Sequence, residues 1–179
     1  MKSEYMNRIL IVLLIFSALF SCRPKSHNKE SFRYNLSLRK IWATDSVFKS
    51  PESVCYDVER NFIYVSNING GPDEVDSNGF LTKMNLSGEI TKLYWIEGLN
   101  APKGMDIFEN KLFVTDITRI VEINLDTDSI SAAYRIDGSK FLNDLTIDNE
   151  GGIYISDSQT NNIFYLKDGN ISVWMVTAG

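Results

Sequence analysis

Histidine is almost absent from this 179-residue chain: the single copy, His27, lies near the amino terminus. Neither a Ser–His–Asp triad nor a histidine metal site can be built from it. Cysteine is nearly as scarce. Cys22 and Cys55 are the only two, so no disulfide framework is implied, and Cys55 falls within a β-rich stretch where a small buried hydrophobe is expected. No Lys/Arg run occurs beyond the amino-terminal region and the formal net charge is −5, which excludes the basic stripe that nucleic acid requires. Gly-x-x-x-x-Gly-Lys and Gly-x-Gly-x-x-Gly phosphate loops are missing. After Phe20 no apolar stripe recurs at helical spacing, which excludes a helical domain. Asp144 and Asp148 are close in sequence, but four residues along a strand places them ~13 Å apart, too far to share acid–base work.

What is present is one short pattern, three times over. Ile63-Tyr64-Val65-Ser66-Asn67, Leu112-Phe113-Val114-Thr115-Asp116 and Ile153-Tyr154-Ile155-Ser156-Asp157 each read aliphatic, aromatic, β-branched, hydroxyl, then Asn or Asp. The aromatic positions are 49 and then 41 residues apart, the period of propeller blades. A second shared stretch precedes each copy, at Pro51–Asp57, Pro102–Phe108 and Leu142–Asp148, with turn residues between the two. The fold class expected is all-β: a partial β-propeller of three four-stranded antiparallel blades. A signal helix and a disordered tether are expected to precede it.

Within each blade the four strands, A to D, follow from the spacing. Blade 1 (50–98) places them at about 53–57, 62–67, 80–86 and 90–96, and blade 2 (99–138) at 104–108, 112–116, 119–125 and 130–136. Blade 3 (139–179) places them at 144–148, 153–157, 162–167 and 171–176. Residues 36–49, with Leu36, Leu38, Ile41 and Trp42, can form one further strand. The B strands are apolar on both sides, so each sheet is expected to be covered on both faces. Propellers close with four to eight blades; three leave two faces without a neighbour, and self-association into a homodimer is expected to cover them.

The amino terminus reads as an address. Lys2 and Arg8 precede an apolar run from Ile9 to Phe20, long enough for a signal-peptide core and too short for a bilayer of roughly 30 Å. The sequence Leu19-Phe20-Ser21-Cys22 resembles a bacterial lipobox. That resemblance implies cleavage of residues 1–21, acylation of Cys22, insertion of its acyl chains into membrane lipid, and a lipid-anchored, extracytoplasmic place in the bacterial cell envelope. Residues 22–35 are polar and charged and read as a tether.

Topology then directs attention to one end of the blades. Alternate connections in an antiparallel sheet share an end. The starts of the A strands (Glu52, Lys103, Asn143) and the ends of the B strands (Asn67, Asp116, Asp157) therefore converge on one channel mouth as a polar rim. Asn67, Asp116 and Asp157 are read chiefly as residues that close strand ends, whereas Glu52 and Asn143 stand between a functional role and plain solvation. Blade 1 is longer by about eight residues, in the loop Asn67–Gly79. Its Glu74, Asp76 and Asn78 approach EF-hand spacing, but position 12 is Asn85 inside a strand, so the loop reads as a Gly- and Asx-rich turn.

Ser50-Pro51-Glu52-Ser53-Val54, Ala101-Pro102-Lys103-Gly104-Met105 and Phe141-Leu142-Asn143-Asp144 resemble blades of the gluconolactonase/regucalcin (senescence marker protein) family over residues 50–179, the first half of such a six-bladed propeller. The resemblance implies one calcium or other divalent cation on the channel axis and, in some members, hydrolysis of sugar lactones. Glu52 matches the family's Pro-Glu glutamate. Asn143 matches an asparagine that is a metal ligand or a substrate contact. The family's Pro-Asp-Gly aspartate has no match, because Lys103 stands there, and a cation opposes a metal unless it points away. Three functions are compatible: a calcium-dependent lactonase-like hydrolase with Glu52 and Asn143 as metal ligands, a non-catalytic binding module for a small molecule or protein at the channel mouth, and a truncated relative active only when two chains complete a ring. The missing third ligand favours the latter two.

Overall fold

In the computed structural model, residues 37–177 are described. The chain divides between Arg39 and Lys40 into two units, and every described strand belongs to the second. The expected signal segment, tether and lipidation at Cys22 lie outside the described residues.

Twelve strands form three four-stranded antiparallel sheets, and no helix occurs among the described residues. Blade 1 is β1 (Pro51–Asp57), β2 (Phe62–Asn67), β3 (Gly79–Asn85) and β4 (Ile90–Leu99). Blade 2 is β5 (Pro102–Phe108), β6 (Lys111–Asp116), β7 (Arg119–Asn124) and β8 (Ser129–Arg135). Blade 3 is β9 (Leu142–Ile147), β10 (Ile153–Asp157), β11 (Asn162–Lys167) and β12 (Asn170–Val176). Each sheet pairs its strands in chain order. Successive blades touch most extensively through their first strands, β1 with β5 and β5 with β9. The molecule is therefore a partial β-propeller with the A strands innermost.

The second strand of each blade shows why the shared pattern is apolar throughout. Side chains alternate between faces along a strand. Leu112 and Val114 on β6 pack back against Tyr64, Leu81, Trp95 and Ile96 of blade 1, while Phe113 between them packs forward against Leu145, Ile153 and Ile155 of blade 3. Tyr64 stacks on Trp95 with ring centroids 4.5 Å apart, and its hydroxyl donates to Asp57, a buried carboxylate. Two apolar layers thus hold three blades.

Residues 37–49 form no strand, contrary to the expectation for 36–49. The segment makes no ladder with a sheet edge, and its apolar residue Ile41 stays exposed, so nothing favours an extended pairing there. Trp42 is instead fixed by its side chain: Nε1 donates to the Leu86 carbonyl at 3.1 Å. Gly88, at φ +88°, leaves the space for the indole, since a Cβ there would lie 2.7 Å from it.

Candidate functional site

The three A strands share a register irregularity at one place. Pro51 pairs with Asn67 and Val54 with Val65, so Glu52 and Ser53 bulge between them. Lys103 and Gly104 bulge in the same way between Pro102 and Met105, and Asn143 and Asp144 between Leu142 and Leu145. A bulge bends its strand and re-aims a side chain. Each candidate residue at the start of an A strand therefore sits on a bulge.

The hydroxyl of the repeated pattern secures that bulge. Ser66 Oγ accepts from the Ser53 N–H at 2.9 Å, and Ser156 Oγ accepts from the Asp144 N–H at 3.0 Å. In blade 2 the equivalent Thr115 donates instead to the Asn143 carbonyl of the next blade at 2.8 Å. Gly104 makes that close approach feasible, because a Cβ on it would fall 2.6 Å from the Asp144 Cα.

The Asx that ends the pattern performs a second structural task. Asn67, Asp116 and Asp157 are 0%, 1% and 3% exposed, so they are not rim groups open to a ligand. Each binds the connection that leads into its own blade. Asn67 Oδ1 accepts from the Lys49 N–H at 3.0 Å. Asp116 accepts from the N–H groups of Asn100 and Ala101 at 3.0 and 2.8 Å and from Arg119 Nε at 2.8 Å. Asp157 accepts from Lys140, Phe141, Gln159 and Thr160. Burial pushes the Asp157 carboxyl up, but these four N–H groups more than offset it and hold it below the ordinary range.

What remains at the mouth is a smaller set. Glu52 is exposed, Asn143 half-buried and Asp144 exposed. Burial of its carboxyl raises the pKa of Glu52, the nearby Lys103 charge opposes that rise, and Asp144 adds to it. Lys103, placed with these on the rim by topology, is buried at 2% exposure. Burial lowers its pKa, against the opposing pull of Asp116, Glu52 and Asp73. Its Nζ donates to the Pro72 carbonyl at 2.8 Å and to the Ala101 carbonyl at 2.9 Å, and lies 4.5 Å from the centroid of the Phe141 ring. The long loop of blade 1 is thus tied to the hub by Lys103, a role its sequence did not reveal. The only local signal was a lysine where two other blades place Glu and Asn.

A hard divalent cation takes six or more oxygen ligands. Among the described residues no group of three or more His, Cys, Asp or Glu is arranged to hold a metal ion. Glu52, Asn143 and Asp144 are only three side chains, and the Lys103 charge already acts on Glu52, so they fall short of what such an ion requires. The acidic loop of blade 1 spends its side chains on itself: Glu74 accepts from the Gly71 N–H and Asp76 from the Asn78 amide.

No known protein family matches the sequence, and no curated protein matches it. Solved structures do resemble the fold. A gluconolactonase from Xanthomonas campestris superposes with a TM-score of 0.58 at 13% identity, over 74% of this chain and 48% of that one. A candidate gluconolactonase from a structural genomics programme gives 0.57 at 17%, over 71% and 48%. A chain of a nidogen–laminin complex gives 0.57 at 18%, over 72% and 48%. The present chain spans about half the length of each. The likeness is one of fold: the chain shares the β-propeller architecture of these structures.

Proposed function

We propose that this chain is a lipid-anchored, extracytoplasmic binding module built on lactonase-like propeller blades, which presents Glu52, Asn143 and Asp144 at the channel mouth to a small molecule or a protein. The observation that carries this reading is the division of labour at the mouth. The strand-end Asx residues are buried in structural bonds and Lys103 is bound to carbonyls, which leaves the acceptor-rich side chains Glu52, Asn143 and Asp144 on two bulges. Anchoring rests on the lipobox-like Leu19-Phe20-Ser21-Cys22, and Cys22→Ser is expected to move the chain out of the membrane fraction.

A second reading is a calcium-dependent lactone hydrolase that acts when a second copy completes the ring. It is favoured by the likeness to gluconolactonase structures and by the open outer face of blade 3. There Tyr154 meets Trp174 edge-on at 5.2 Å, and Trp174 is 55% exposed. On blade 1 the corresponding Tyr64–Trp95 pair is covered by blade 2.

Thermal shift of the 179-residue chain against neutral sugars and sugar lactones, with lactone turnover measured with and without chelator, separates the two. The first reading expects a ligand-dependent rise in Tm that Glu52→Gln diminishes, without turnover. Turnover abolished by chelator, together with a sedimentation mass of two chains, establishes the second. No shift with any ligand and a single-chain mass at all concentrations removes both.

A further inference from the structure

Lys103 is the one buried lysine among the described residues. Lysines are almost never buried without a partner of opposite charge, yet among the described residues Lys103 makes no ion pair within 4 Å, and its direct partners are neutral. Two are carbonyl oxygens, of Pro72 and Ala101, and the third is the face of Phe141. An ammonium group has three N–H donors, and an aromatic face accommodates a cation that carbonyls leave partly unsatisfied. The charges that face it from a distance are Glu52 on β1, Asp116 on β6 and Asp73 in the blade 1 loop.

These partners come from all three blades. Pro72 lies in the loop between β2 and β3, Ala101 immediately precedes β5, and Phe141 immediately precedes β9. Oxygen donors gathered from separate segments around one positive centre, with carboxylates beyond them, are the surroundings that a bound metal ion organises. Here the centre is covalently attached to β5. A second positive charge in the same mouth would meet repulsion and would find Glu52 already partly offset.

We propose that the Lys103 ammonium is the resident cation of this mouth, standing in for a divalent ion, so that the mouth works without calcium and selects uncharged hydroxylated ligands. With Lys103 enclosed, the groups left facing the opening are Glu52, Asn143 and Asp144. Two carboxylates and an amide accept hydrogen bonds from hydroxyl groups and repel anions. The ligand class named here rests on the binding-module reading; the exclusion of calcium does not.

The test is calcium titration of the intact 179-residue chain in non-ionic detergent, followed by calorimetry and by terbium luminescence with calcium competition. Wild type is expected to show no Glu52-dependent saturable binding up to about 5 mM calcium, above the range of weak extracellular calcium modules. Lys103→Asp, which places a third oxygen ligand beside Glu52 and Asn143, is expected to bind calcium at least tenfold more tightly than wild type and to lose that gain in combination with Glu52→Gln. If Lys103→Asp is unfolded alone, recovery of its melting transition on adding calcium is the equivalent result. Saturable binding by wild type that Glu52→Gln or Asn143→Ala weakens overturns the proposal. So does a variant at Lys103→Asp that calcium neither binds nor refolds. Ligand screening reads the binding-module proposal separately, because sugar binding or its absence leaves the calcium isotherm unchanged.

Discussion

Asp116 accepts a 2.8 Å hydrogen bond from the backbone N–H of Ala101, fifteen residues earlier in the chain. The same carboxylate takes the Asn100 N–H and the Arg119 guanidinium, so one buried side chain fixes the entry into blade 2 and the corner between β6 and β7. Asp116→Ala would leave two N–H groups and a guanidinium without their acceptor. Leaving buried N–H donors without an acceptor costs roughly 1–3 kcal/mol, and urea denaturation should show a lowered midpoint at unchanged slope. Asp116→Asn, which keeps one acceptor oxygen, should lose less.

Gly104 lies where blade 2 meets blade 3. A Cβ there would fall 2.6 Å from the Asp144 Cα and 3.0 Å from the Asn143 carbonyl. Backbone cannot rotate away as a flexible side chain can. Gly104→Ala is therefore expected to cost about 1–3 kcal/mol by overpacking and to loosen the Thr115–Asn143 contact. Hydrogen exchange should report the loss chiefly in β5 and β9.

Cys55 faces the layer between blades 1 and 2. Burial, reinforced by the negative charges of Asp106 and Asp57, pushes its thiol up to about 12. Since the thiolate is the nucleophile, the native thiol should react with an aromatic disulfide reagent at pH 8 about a thousandfold more slowly than the unfolded one. A Cys22→Ser background isolates the signal. Fast native reaction would contradict the packing of β1 described above.

Acid should weaken the chain through Asp157. Its folded pKa lies below the ordinary value of 3.8, so it contributes stability that is fully present above that value and is lost as pH falls through the folded pKa. Glu122 acts in the same direction. Burial raises its pKa, but hydrogen bonds from Ser131, Lys111 and Tyr134 bring it below 4.5. Melting temperature should fall steeply below about pH 4, and the fall should be shallower in Asp157→Asn.

The sequence by itself determined the repeat, the strands and their order. Alternation within Ile63–Asn67, Leu112–Asp116 and Ile153–Asp157 is a local property, and a strand apolar on both sides demands a neighbour on each face. Tertiary structure alone decided how the mouth is equipped. The bulges at Glu52, Lys103 and Asn143 depend on pairing with a second strand, and the burial of Lys103 depends on Pro72 and Phe141, contributed by two other blades. The same limit explains residues 37–49: their apolar content permits a strand, but only the edge they meet could have supplied the backbone partners a strand needs.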